Sequence, residues 1–277
     1  YGLLQKEQYE ETVAFYDSYL GEFPKSSVIH YNKSVALYDL ERYDEAVEAL
    51  QTSIRFNPRN AAAHIKLGLI CAEAEDYSKA ALCLNMSLFL SAGEKKALTL
   101  ISALEEVYAL DLEKKIGKVN YREDEDFEEI DLLIKNKVAE NKKYKIDFKF
   151  PYKIFKYNHL LFDQLEYDES SNGFWNQNYV RFFKEIMNLD EFTYFSYYQS
   201  IMVENPKVQN TISKNKSRVT TSVKKIYTFF AQFMNERMVW DGSEYVENDL
   251  IHYGSYGFNV KVKTGDDGSQ SGPYVAY

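Results

Sequence analysis

The chain has 277 residues, 45% of them hydrophobic, and carries a formal net charge of −9. That length is ample for a sizeable core, while the negative mean hydropathy and the lack of any run near roughly 18 apolar residues exclude a membrane-spanning helix. Basic and acidic residues are interspersed, which argues against nucleic acid as a partner, because phosphate binding needs a clustered positive face.

From the N-terminus, Leu3–Leu20 reads as a helix ended by Gly21-Glu22-Phe23-Pro24. Two stretches of 34 residues follow that lie over one another, starting at Ser27 and at Ala61. Tyr9, Tyr43 and Tyr77 align, as do Glu11, Glu45 and Lys79; Thr12, Ala46 and Ala80; Pro24, Pro58 and Ala92; and His30 with His64. Each unit predicts a helix of about 14 residues, a tight turn and a second helix, the size of a helix-turn-helix repeat. The turns are Leu40-Glu41-Arg42 and Ala74-Glu75-Asp76. Ala46 and Ala80 are small so that the two backbones can approach closely. Leu50, Ile54, Leu84 and Leu88 form the i, i+4 stripe facing the first helices, each stabilising by roughly 1.5–3 kcal/mol when buried. Pro58 stops the second helix, and Asn57-Pro58-Arg59-Asn60 is the hinge between units. The register begins part-way through a unit, so the natural chain is expected to extend N-terminally of Tyr1. Lys95–Asp111, with Leu98, Ile101, Leu104, Val107 and Tyr108 on one face, is expected to cap the stack.

Beyond Lys118 the register is lost. The acidic run from Arg122 to Asp131 has no glycine for a calcium loop and is expected to favour the N-terminus of a helix carrying Leu132, Leu133, Ile134 and Val138. Lys145–Phe150 alternates and reads either as a short strand or as an extended linker ending at Pro151. Helices are predicted over Tyr152–Glu166, Phe174–Met187 and Glu191–Val203. A long last helix follows, capped by Asn205 with Pro206 in its first turn, with Val219, Val223, Ile226, Phe230 and Phe233 as a packing seam. The aromatic residues of this half, such as Phe174, Trp175, Tyr179, Phe182, Phe183 and Phe195, read as core, with ligand stacking the alternative. Lys214, Lys216, Arg218, Lys224 and Lys225 read as a solvated face. From Trp240 on, six of the chain's twelve glycines separate alternating runs such as Phe258–Lys263, the pattern of β-hairpins.

Motifs for chemistry are missing. There is no metalloprotease HExxH, nucleophile elbow, phosphate-binding loop or dinucleotide fingerprint, and the four histidines are His30 and His64 in the repeat, His159 and His252. Cys71 and Cys83 sit in the two helices of one unit and read as buried free thiols. A disulfide would need α-carbons within about 7 Å, and a metal site lacks histidines nearby. No cofactor is expected, and the chain reads as non-enzymatic.

The aligned positions from Tyr9 to Ala92 resemble the tetratricopeptide repeat, and the last seven residues, from Ser271 to Tyr277, look like the start of a MORN-like unit. The fold class is therefore mainly α: a tetratricopeptide-type solenoid with its capping helix over 1–118, an aromatic-rich helical domain over 119–238, and a β-rich, MORN-like tail over 239–277. The wider layout resembles that of repeat proteins of the Bacteroidota cell envelope. It is carried by Asn57-Pro58-Arg59-Asn60-Ala61, Leu88-Phe89-Leu90, Glu125-Asp126-Phe127 and the helix with Gly173-Phe174-Trp175, Tyr179 and Phe182-Phe183. The resemblance implies a scaffold or accessory subunit that binds protein within a larger assembly, periplasmic or outer-membrane-associated, with the cytoplasm as the alternative location. A sugar- or peptide-binding module is the alternative function. First helices of such repeats line a concave surface, which places Val28, Tyr31, Asn32, Val35 and Tyr38, then Ala62, Ile65, Lys66, Leu69 and Ala72, in a partner-binding groove. Family members that clamp chaperone tails use Lys and Asn at positions that here hold Tyr31, Val35, Ile65 and Leu69, so no carboxylate clamp is expected. The groove should prefer an apolar helix or extended segment to an acidic tail.

Overall fold

The computed structural model describes residues 2–110, 119–121, 125, 127–146 and 152–236, with side chains between Lys6 and Met234, and backbone alone for 239–240, 245–246, 259–264 and 270–276. Six antiparallel helices come first: α1 (Gly2–Glu22), α2 (Ser27–Asp39), α3 (Tyr43–Phe56), α4 (Ala61–Glu73), α5 (Tyr77–Ser91) and α6 (Lys96–Ala109), each packed on the next. Among the described residues no strand precedes residue 140, as the repeat register predicts.

The repeat is visible bond by bond. In both units a glutamate takes the left-handed conformation after the first helix, Glu41 at φ 60° and Glu75 at φ 65°. The next N–H closes the turn in both, Arg42 donating to the Leu37 carbonyl and Asp76 to the Cys71 carbonyl, each at 2.9 Å. His30 Nε2–H donates to the Pro24 carbonyl at 2.8 Å and His64 Nε2–H to the Pro58 carbonyl at 2.9 Å, so the aligned histidines tie the aligned hinges. Ser53 bonds back to the Ser27 carbonyl at 2.8 Å, and its counterpart Ser87 to the Ala61 carbonyl at 3.1 Å. The Asn60 side chain caps α4 through the Ala63 N–H.

Ala46 and Ala80 are wholly buried, as are Leu50, Ile54 and Leu88, while Glu48 is exposed. Ala46→Leu or Ala80→Leu should therefore cost about 1–3 kcal/mol by overpacking, against a near-neutral Glu48→Ala. Thermal melts of the three variants check this, and equal shifts would reject the register.

In α6 the buried face is Ala97, Leu100, Ile101, Leu104, Val107 and Tyr108; Leu98, expected there, is exposed, one helical step off that face. The second half contributes α7 (Glu128–Lys135), α8 (Ile154–Gln164), α9 (Arg181–Asn188), α10 (Phe192–Gln199), α11 (Pro206–Lys214) and α12 (Lys216–Glu236). Of the stretch Lys145–Phe150, residues 147–150 lie outside the described residues.

Three elements differ from expectation. The helix entering at Phe174 runs through a π turn over Asn176–Val180, where the Arg181 N–H reaches back five residues to the Asn176 carbonyl. The α10 helix stops at Gln199: the Ser200, Ile201 and Val203 N–H groups bond only three residues back, and Gln209 Nε2 donates to the Ile201 and Val203 carbonyls at 2.9 and 2.7 Å. The single long last helix is two, broken at Asn215, whose side chain bonds the Thr211 carbonyl. Its cap is as expected: Asn205 accepts from Lys207 N–H and Val208 N–H, with Pro206 at the first position. The seam of Val219, Val223, Ile226, Phe230 and Phe233 is buried.

The two halves meet on α5. Every residue of this helix except Leu90 is buried, and it packs on α4 and α6 from the repeat side and on α7, α10 and the π turn from the other. Phe89 sits at the centre, its ring 4.7 to 6.1 Å from those of Phe182, Phe195, Tyr198, Tyr227 and Phe230.

Candidate functional site

The first helices α2 and α4 carry the residues of the expected partner face. Val28 is 62% exposed and Leu69 44% exposed; Ala62 is also exposed. Tyr31, Asn32, Val35, Tyr38, Ile65 and Lys66 are half-buried, with Tyr31, Tyr38 and Ile65 packed on the core beneath. Ala72, expected on this face, is 3% exposed and belongs to the interior. The two helices touch through Tyr38: its hydroxyl donates to Glu73 Oε2 at 2.5 Å, and Lys66 Nζ stands 3.3 Å from the centre of its ring. Burial first, then the bond to Glu73, pushes the Tyr38 phenol well above its usual range. The face thus carries a charged group where α2 and α4 end, and Glu73 is the member that the alignment did not single out.

On α4, α5 and the turn between them, the aromatic half is fastened by polar groups. His64 is buried, and its Nε2–H is committed to Pro58, so its Nδ1 accepts from the Tyr179 hydroxyl at 2.7 Å. Cys83 Sγ in turn donates to that hydroxyl at 3.2 Å, and the Tyr121 hydroxyl donates to Asp76 at 2.5 Å with Cys71 Sγ 3.3 Å from its oxygen. Both thiols are free and buried, and burial pushes the Cys71 thiol well up, which makes it unreactive.

Lys79 is 5% exposed, and its ammonium lies 5.5 to 6.0 Å from the ring centres of Tyr121, Phe127 and Trp175. The acidic run does favour helix N-termini, though not only its own. Glu128 and Glu129 open α7, but Asp131 accepts the Ser78 N–H at the start of α5. Glu125 accepts the Trp175 and Asn176 N–H groups at 2.7 and 2.8 Å. Gly173 leaves room for that carboxylate, since a Cβ there would meet it and it would have to shift from these two N–H groups.

Phe174, Trp175, Tyr179, Phe182, Phe183 and Phe195 are buried in this packing, as the core reading expects. Two recesses lie elsewhere: one of about 470 Å³ beside Tyr167, Arg181, Lys184 and Phe229, and one of about 250 Å³ beside Arg59, Leu90, Ser91 and Tyr227. Of the basic run, Lys225 is bound to Glu191 at 2.9 Å and Arg218 to the Tyr194 hydroxyl at 3.0 Å.

Residues 31–94 match the family model of the tetratricopeptide repeat. No curated protein and no solved structure matches the chain. Tetratricopeptide repeats typically mediate protein–protein interaction and are generally non-enzymatic. No helix among the described residues is long and apolar enough to cross a membrane.

Proposed function

We propose that the chain is a non-enzymatic interaction module that holds a segment of a protein partner against the face formed by Val28, Tyr31, Asn32, Val35, Tyr38, Ile65, Lys66 and Leu69. The observation that carries this reading is the exposure of Val28 and Leu69 on the first helices of consecutive units, in a stretch whose residues 31–94 match the repeat family. Apolar side chains left open beside half-buried tyrosines are the usual anchor of a helical or extended ligand. The double substitution Tyr31→Ala with Leu69→Asp tests it. Partner recovery in a pull-down should fall at least tenfold, the scale of about 1.4 kcal/mol, while the variant stays folded, its melting temperature lowered only by the loss of the packing of half-buried Tyr31. Full recovery by a stably folded double variant would remove this face from the account.

A scaffold or accessory role in a larger, cell-envelope assembly of a Bacteroidota-type organism extends the same reading, on the strength of the sequence layout. The division at residues 118 and 238, with a MORN-like hairpin tail, belongs to it as well; antiparallel pairing of Asn259–Thr264 with Gln270–Ala276 supports the hairpin. For the alternative, a sugar- or peptide-binding module, the surface on offer is the recess beside Tyr167, Arg181 and Phe229 rather than the interior rings. Saturable binding of a small ligand that survives Tyr31→Ala with Leu69→Asp would favour it.

A further inference from the structure

We propose that the segment held on this face is cationic, an amphipathic stretch whose apolar residues meet Val28, Val35 and Leu69 and whose lysine or arginine side chains reach Asp39, Glu41, Glu73 and Glu75. The inference rests on the docking role proposed above and adds the chemistry of the partner. Asp39 and Glu73 are the last residues of α2 and α4, and Glu41 and Glu75 stand in the turns that follow. The apolar face therefore runs at one end into an acidic edge made by two consecutive repeats.

Each of these carboxylates sits where local physics disfavours it. The C-terminal end of a helix carries partial negative charge, so an acid in the last turn is repelled, and neither α2 nor α4 has a basic residue there. The left-handed conformation that ends both helices is best filled by glycine or asparagine, and a glutamate occupies it twice. Local rules broken at the same place in successive units mark a site kept for something other than stability.

The charge is also left unbalanced. Among the described residues no lysine or arginine forms an ion pair with any of the four. Arg42, inside the first turn, gives its guanidinium to Glu10 and Glu45. Lys66 stands over the Tyr38 ring, and Lys135 is 5.4 Å from the centre of the Tyr77 ring; both keep their charge, which offsets part but not all of that of the four carboxylates. Glu73 spends one oxygen on the Tyr38 hydroxyl, which fixes the carboxylate at the edge of the apolar face. Glu41 and Glu73 both add to the upward push that burial gives the Tyr43 phenol, so both carboxylates lie near that ring. Two helix ends and four carboxylates make a field that attracts a cation and repels an acidic tail.

Three synthetic peptides with the same leucine pattern, and lysine, glutamine or glutamate between the leucines, are titrated against the full chain by fluorescence anisotropy. The lysine peptide should bind about tenfold tighter than the glutamine peptide, as several exposed charge pairs together allow, and the glutamate peptide weaker still. In the variant Glu41→Asn, Glu73→Gln, Glu75→Asn the lysine advantage should shrink to about twofold, the asparagines keeping the two turns folded. In a control that removes charge from the exposed α6 surface, Glu105→Gln with Glu106→Gln, the advantage should persist. Equal binding of the lysine and glutamine peptides, tighter binding of the glutamate peptide, or an advantage that both variants keep would overturn the cationic inference while leaving the docking face in place. Binding by none of the three would overturn the docking reading itself.

Discussion

Replacing Asn158 with alanine is expected to lower the unfolding free energy by about 3–4 kcal/mol, the largest single loss anticipated in this chain. Asn158 on α8 is wholly buried, and its Oδ1 accepts from Asn85 Nδ2 at 2.9 Å and from the Tyr108 hydroxyl at 2.7 Å. Its Nδ2 returns a bond to Asn85 Oδ1 at 2.7 Å. Gln199 Nε2, also wholly buried, donates to Asn85 Oδ1 at 3.2 Å. Four helices, α5, α6, α8 and α10, thus meet in one buried polar knot. The alanine leaves the Tyr108 hydroxyl without its acceptor and takes one bond from each end of the Asn85 amide, which keeps the Ala81 carbonyl and Gln199, at about 1–3 kcal/mol for a group that finds no water, and it opens a void as well. Tyr108→Phe removes one bond and should cost only about 1 kcal/mol. The double variant Asn85→Leu with Asn158→Leu should lose less than the sum of its singles, since the amides stranded by one substitution are removed by the other. Urea titration of the set measures the coupling; additivity within a few tenths of a kcal/mol would show that the knot is not a unit.

How far the sequence could be read depended on whether a position answers to its neighbours in the chain or to a distant partner. The repeat answers to its neighbours, so Ala46 and Ala80, the paired histidines, the turns at Glu41 and Glu75 and the Asn205-Pro206 cap were all legible at a period of 34 or from local capping rules. The proposed partner face was a list of first-helix positions placed by the same period, of which Ala72 falls in the interior. Glu73 was not, since its role depends on the Tyr38 hydroxyl one repeat away. The contacts that seat the aromatic half were hidden for the same reason. Lys79 aligns with Glu11 and Glu45, which are exposed, yet Lys79 is buried under three rings supplied from residues 121, 127 and 175. The reversal of charge at that one position was the available signal. A second was the composition of α5, apolar on every side, which marks a helix buried all round rather than one face of a solenoid. The π turn and the break at Asn215 carry no periodicity of their own, and a seam of apolar residues runs through such interruptions unchanged.

Removing the charge of Asp131 should stabilise the protein at neutral pH by about 2–3 kcal/mol. The carboxylate accepts the Ser78 N–H at 2.7 Å, which favours its charged form, as does nearby Lys135. Burial, reinforced by Asp76, outweighs both and pushes it up to about 6 from the usual 3.8. The sign follows from proton counting: between 3.8 and about 6 the folded state holds the proton more tightly than the unfolded chain does. Stability from this group is therefore greatest below the lower value, falls through that window, and stays reduced above it. In Asp131→Asn the amide oxygen still accepts the Ser78 N–H and there is no charge to desolvate. The variant and the parent should match near pH 4 and separate progressively up to pH 6.5, beyond which the gap is constant. Glu45, Glu140 and Asp168, whose carboxyls are held below their usual values, give slopes of the opposite sign common to both proteins, so the difference between the two curves isolates Asp131. Urea unfolding at pH steps from 4 to 7 measures that difference. A variant less stable than the parent at pH 7 would mean that the ionised carboxylate on the α5 N-terminus outweighs the cost of burying it.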